Sequence, residues 1–313
     1  MDAYNLYAKL CLDSSEYEKG MKDAKSSAGG LSGLFSKVGS VTSTVGKGIF
    51  TVAENVVKVS AAATTAGAAA VSALTTLAVN SYADYEQLVG GVETLYKDSA
   101  AKVQQYAADA YKTSGMTANE YMTTATSYAA ALVSSLGGDT EQAAELSNMA
   151  VSDMADNWNK FGSSADSVQA AYNGFAKGQF QLLDNLKLGY GGTKEEMERL
   201  LDDANKLNAA QGKYTDYSID SFSDIILAIH DIQTEYDITG TTAKEASTTI
   251  SGSLSAVKAA WANLVTGVAD DNADFGQLIS NFVDSATTAA SNIIPRVEVA
   301  LNGAAKLIES LVP

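Results

Sequence analysis

Cysteine and histidine each occur once in the 313 residues, and proline and arginine twice each. The lone cysteine, Cys11, forbids an internal disulfide and any cysteine-rich zinc site. It lies in an alternating stretch with no histidine or arginine nearby to acidify its thiol, so it reads as a small apolar filler. The lone histidine, His230, excludes most histidine-based metal constellations and leaves few routes to a histidine-dependent triad. It falls within Ile225-Ile226-Leu227-Ala228-Ile229-His230-Asp231, an amphipathic helical pattern, and is expected at the surface or its boundary. The prolines are Pro295 and Pro313, so 294 consecutive residues contain no breaker of that kind. Basic side chains number 21 against 37 acidic ones, giving a net charge of −16. Nucleic-acid binding is therefore not expected, because phosphate neutralisation needs clustered Lys and Arg.

What remains is rich in Ala, Ser, Thr and Gly, a composition suited to long helices packed through small residues. The length allows one large domain or two ordinary ones. The first residues lack a basic region followed by an apolar core, so no secretory signal is expected. Residues 4–12 alternate, with Tyr4, Leu6, Ala8, Leu10 and Leu12 on one face, as in a half-buried strand. A short helix follows from Ser15, whose spacing to Glu18 suits a capping box, and ends near Gly29-Gly30.

Steps of four and three then give Leu31, Phe35, Val38, Thr42, Val45, Ile49, Val52, Val56, Val59, Ala63, Ala66, Ala70, Ala73 and Leu77. All but Thr42 are apolar, as in the seam of a coiled coil. Such a helix would be a rod of about 75 Å. The same pattern also fits a long helix folded back on its own domain. Off-seam glycines lower its helicity, each by about 1 kcal/mol relative to alanine, so it needs a partner. Between Lys58 and Asp84 no residue is charged. That stretch is long enough to span a bilayer, yet nine of the residues from Val59 to Val79 are alanine and seven are Ser, Thr or Gly. Alanine gains little in lipid, so burial against other helices is the competing reading.

From about Tyr82 the texture changes to shorter helices. Starts are marked by Thr117 with Glu120, Asp139 with Gln142, Thr193 with Glu196 and Thr242 with Glu245. Stops are marked by Gly115, Gly137-Gly138, Gly162, Gly189 to Gly192, Gly212 and Gly240. The fold class is mainly α, in four parts. These are a strand and short helix at 1–30, a long heptad-patterned helix at 31–81, a helical core domain at 82–213 and C-terminal helices at 214–313. The core is expected to include Tyr85, Leu88, Val92, Leu95, Tyr121, Leu132, Val133, Leu136, Leu146, Met154, Trp158, Phe161, Phe175, Phe180, Leu183 and Leu186. The last part is expected to hold helices near 220–237, 243–269 and 273–311, the third interrupted at 292–295.

No local motif supports catalysis. In Asp270-Asp271-Asn272-Ala273-Asp274, Asp270, Asn272 and Asp274 alternate like the first three calcium ligands of a loop. Phe275 stands where the loop needs glycine, however, and Asn281 where it needs glutamate. Gly189-Tyr190-Gly191-Gly192-Thr193-Lys194 lacks the spacing of a phosphate-binding loop and reads as a turn into a cap. Glu195-Glu196 and Asp202-Asp203 are neighbours on one charged helix, whereas glycosidase acids must face each other across a cleft. Neither an enzyme nor a cofactor is expected.

Two stretches resemble the tail tape measure proteins of bacteriophages that infect Gram-positive hosts. The first is Leu12-Asp13-Ser14-Ser15-Glu16-Tyr17-Glu18-Lys19-Gly20-Met21. The second, more specific, begins at Thr113-Ser114-Gly115-Met116-Thr117-Ala118-Asn119-Glu120-Tyr121 and passes through Ser135-Leu136-Gly137-Gly138-Asp139, Ala150-Val151-Ser152-Asp153-Met154-Ala155-Asp156-Asn157 and Tyr172-Asn173-Gly174-Phe175-Ala176-Lys177. It closes at Leu183-Asp184-Asn185-Leu186-Lys187-Leu188-Gly189-Tyr190-Gly191-Gly192-Thr193-Lys194-Glu195-Glu196-Met197. The resemblance implies a structural ruler inside the tail tube of the virion, assembled in the host cytoplasm and released during genome ejection. Its implied partners are copies of itself, the tail tube protein, tail assembly chaperones and tail tip proteins, with contact to the host membrane on ejection. The seam Leu31 to Leu77 would be its oligomerisation surface. Family members are usually longer, so an N-terminal piece or a short relative is expected. The alternative reading is a membrane-active helical protein that inserts the Ala-rich segment 59–80.

Overall fold

The computed structural model describes residues 67–311, so the expected N-terminal strand, Cys11 and the seam positions before Ala70 lie outside the described residues. Among the described residues the chain is mainly helical and contains no strand. The helices are α1 (Gly67–Tyr96), α2 (Ala100–Thr113), α3 (Ala118–Ser135), α4 (Thr140–Phe161), α5 (Ala165–Phe175), α6 (Lys194–Ala210), α7 (Phe222–Glu235), α8 (Thr241–Thr248), α9 (Ile250–Gly267) and α10 (Phe275–Leu311). Short 3-10 turns occupy Lys97–Ser99 and Leu183–Leu186.

Local chemistry starts three of the four helices whose beginnings the spacing marks. Thr117 accepts from the Glu120 amide while the Glu120 carboxylate accepts from the Thr117 amide, a reciprocal capping box. Asp139 accepts from the amides of Glu141 and Gln142, and Thr193 from that of Glu196. Gly162, at φ 63°, ends α4 in the left-handed conformation that glycine adopts without steric cost.

Three local expectations are corrected. Gly240 does not stop α7. The left-handed residue after that helix is Asp237, while Gly240 stands at the N-cap of α8, which starts at Thr241 without a Thr242 capping box. The single helix expected near 243–269 is two, because Thr249 is extended and turns the chain between α8 and α9. The expected interruption at 292–295 is absent: α10 continues through Pro295. Asn292 instead donates to the carbonyls of Ser247 and Thr249.

Two compact units emerge. The larger comprises residues 81–263 and 285–292. Its apolar core runs from Val92 to Ile238 without a break at residue 213, since α7 packs extensively on α6. Every core position expected from the sequence belongs to this cluster or packs against it. Helix α4 is central, contacting α2, α3, α5, α7 and α8. A helix surrounded in this way needs small residues on several faces, and Ala143, Ala144, Ala150 and Ala155 are fully buried. The described part of the other unit comprises residues 67–80, 264–284 and 293–311. Within it the Leu278 side chain packs on Gly267, so closely that a Cβ there would collide with it. Among the described residues no helix is long and apolar enough to cross a membrane.

Candidate functional site

The buried face of α4 changes character along its length. Ala143, Ala144 and Ala150 give way to Asp153, Asp156 and Asn157, which share one face at spacings of three and four. All three polar side chains are buried, and burial without partners would be costly. Their partners come from residues far along the chain.

Asp153, 1% exposed, accepts from His230 Nδ1 of α7 through both carboxylate oxygens, at 3.0 and 2.9 Å. Gln233, one turn further along α7, donates to the Asp153 carbonyl at 3.3 Å and accepts at 3.1 Å from Asn157, which also donates to the Leu186 carbonyl at 2.9 Å. Asp156 accepts from the backbone amides of Gly240 (2.6 Å) and Thr242 (2.7 Å). It therefore caps α8 from 84 to 86 residues away, which is why no local capping box is used there. Glu245, freed from that role, accepts from Asn159 at 2.8 Å.

Burial raises the carboxyl of Asp153 to about 6, the His230 hydrogen bond acting against it and the charges of Asp156 and Asp231 adding to it. Burial also raises Asp156, opposed by its bonds to the α8 amides. The bond to Asp153 holds the His230 imidazole above its usual value despite partial burial. A buried carboxylate that orients an imidazole is the arrangement behind the base of hydrolytic triads. Such a base also needs a nucleophile, and Nε2 of His230 makes no hydrogen bond to the described residues. As it stands, the arrangement fastens three elements to one turn of α4.

The other features singled out in the sequence are used structurally. Gly191 donates to Glu196, whose carboxylate also pairs with Arg199, and Arg199 lies 4.3 Å from the Tyr190 ring centroid. Gly192 passes so close to Gln181 that a Cβ would come within 2.3 Å of its carbonyl oxygen. Close backbone approach therefore accounts for this glycine. Asp202 and Asp203 pair along their own helix with Lys206. Asp270 and Asp274 accept from the amides of Asn272 and Gln277, two and three residues on. Among the described residues no group of three His, Cys, Asp or Glu side chains is placed to hold a metal. Of the expected seam, Ala70 and Ala73 lie in α1, and Leu77 is 54% exposed. Leu31, Phe35, Val38, Val45, Ile49, Val52, Val56, Val59, Ala63 and Ala66 fall outside the described residues.

A separate open groove of about 720 Å³ runs between α1, α3, α4 and α5, lined among others by Asp84, Asn119, Glu120, Trp158, Asp166 and Gln169.

The class so defined is a mainly helical protein whose larger unit is pinned by a buried polar turn. Comparison with protein-family models, with curated proteins and with solved structures finds no match.

The sequence singles out His230 only as a surface or boundary histidine and gives no site role to Asp153, Asp156, Asn157 or Gln233. A signal for the first three was present. The apolar set Leu146, Ala150, Met154 and Trp158, at steps of four, places Asp153, Asp156 and Asn157 next to the buried stripe of the same helix.

Proposed function

We propose that the chain is a structural component of a bacteriophage tail, a tape measure protein acting as an oligomeric helical ruler in the tube lumen. The observation that carries this reading is the resemblance over residues 113–197, joined to the role those residues play. Thr117, Glu120, Asp139, Gly162 and Thr193 cap helices, and Met154, Phe175, Leu183, Leu186 and Met197 are buried in one core. The likeness thus rests on residues that build a helical domain. The heptad pattern of 31–77 gives copies of the chain a seam along which to associate. The net charge of −16 opposes adhesion to DNA passing through the same lumen. Its partners are further copies, the tube protein, the tail assembly chaperones and the tip proteins.

Deletion of whole heptads within 31–77, in phage carrying the shortened gene, tests the reading. Each heptad is about 10 Å of helix, so mean tail length measured by electron microscopy should fall by about that amount per heptad removed. Tails of unchanged length would refute the role as ruler. A gold label on the chain should appear along the tube interior.

A further inference from the structure

We propose that Asp153 and His230 form a pH-operated latch, which holds α7 and the start of α8 against α4 while His230 is protonated and loosens when that proton leaves. Asp153 is buried on α4, and its ion-pair partner is the only histidine of the chain. Among the described residues, the other titratable groups that interact with it are Asp156 from α4, Asp231 from α7 and, from α5, the hydroxyl of Tyr172. None of these can supply positive charge. When His230 becomes neutral, the buried carboxylate keeps a hydrogen bond but loses its counter-charge, and desolvation is no longer offset.

The consequence travels along α7 because the polar contacts are serial. Gln233 bridges Asp153 and Asn157 one turn beyond His230, and the following corner delivers the amides of Gly240 and Thr242 to Asp156. Loosening His230 therefore weakens the attachment of residues 230–242 before the rest of the core. The sign follows from proton binding. His230, Asp153 and Asp156 are all raised in the folded protein, so the folded state holds more protons than the unfolded one. Stability from this cluster is then greatest at acidic pH and declines as pH rises, first through the Asp153 and Asp156 range and finally through the folded titration of His230.

The full-length protein supplies its own probe, because a single histidine gives one unambiguous pair of imidazole NMR signals. Two measurements are made across pH 5 to 9: the titration of those signals, and amide hydrogen exchange in 230–242 corrected for intrinsic rates. The wild-type imidazole should titrate above 6.5, and each unit of excess corresponds to about tenfold preference for the protonated state in the fold. Protection of 230–242 should fall as that titration proceeds, with 121–132 unchanged. In Asp153→Asn, the imidazole should return toward its ordinary value and the pH dependence of protection should flatten. An imidazole titrating at or below 6.5 would overturn the proposal, as would wild-type protection of 230–242 that does not follow it. Should Asp153→Asn fail to fold, the wild-type titration and exchange still decide. Retention of the wild-type slope in a folded Asp153→Asn would also overturn it.

Discussion

Replacing Asp156 should detach α8 at its beginning, with an effect larger than loss of an ordinary helix cap. Asp156 is 2% exposed, and each of its carboxylate oxygens accepts one α8 amide, at 2.6 and 2.7 Å. Hydrogen bonds to a charged acceptor contribute about 1.5–3 kcal/mol each. Against them stands the cost of keeping the carboxylate buried, visible in its raised pKa. For Asp156→Ala the net destabilisation comes to about 2–4 kcal/mol, since both amides are left without an acceptor. Asp156→Asn is not a neutral control. It keeps one acceptor oxygen but turns an NH₂ group toward the second amide, so its cost should lie between zero and that of alanine. Thr117→Ala, which removes a local exposed cap, should cost about 1 kcal/mol. Urea unfolding of the full chain, followed by Trp158 on α4 and Trp261 on α9, would rank the three variants. Hydrogen exchange at Gly240 and Thr242 would locate the change. A loss below about 0.5 kcal/mol for Asp156→Ala, with the Thr242 amide still protected, would refute a tertiary cap.

Gly192→Ala should destabilise the turn before α6, because its Cβ would press on the Gln181 carbonyl and neither backbone segment can give way cheaply. A lowered melting temperature with increased proteolysis near 181–192 is the expected readout. Tyr96→Phe removes a hydroxyl that donates to the Ala125 carbonyl at 3.1 Å and shares a 2.6 Å bond with Ser147, and should cost about 1–2 kcal/mol by urea unfolding. Burial raises the Tyr96 phenol to about 12, so its share of tyrosinate absorbance should appear only as the solution approaches that pH.

Features specified by neighbours in sequence were legible in the sequence. The caps at Thr117, Asp139 and Thr193 depend on spacings of two or three residues, and the structure uses them. Thr242 with Glu245 offers the same spacing, yet Asp156 takes the amide that a local cap would have satisfied. Propensity could not anticipate this competition, because the winning acceptor lies on another helix. The break at Thr249 has a similar origin. A Cβ on Gly252 would meet the Glu245 backbone at 2.4 Å, so glycine permits a close turn where periodicity alone suggests one helix. Pro295 does not stop α10, although an interior proline removes one backbone hydrogen bond and crowds the preceding turn; the helix continues on either side of it. Large apolar core residues were recognised by pattern, whereas the alanines of α4 were not, since their burial reflects the number of neighbouring helices rather than their own hydrophobicity. His230 was placed near the surface from its helix, where its side chain is 28% exposed, but the carboxylate that gives it meaning lies 77 residues earlier.

The polar turn of α4 also makes the domain depend on contacts of long sequence separation. Asp156 is synthesised 86 residues before the Thr242 amide that it receives, and Asn157 waits 76 residues for Gln233. Until those residues emerge, the nascent chain carries carboxylates on a face meant for the interior, and solvation favours leaving that face open. The apolar contacts among α2, α3 and α4 can form early, but closure must wait for α7 and α8. The polar interior thereby ties completion of the domain to the later part of the chain, since the partners of Asp153, Asp156 and Asn157 all come from beyond residue 185.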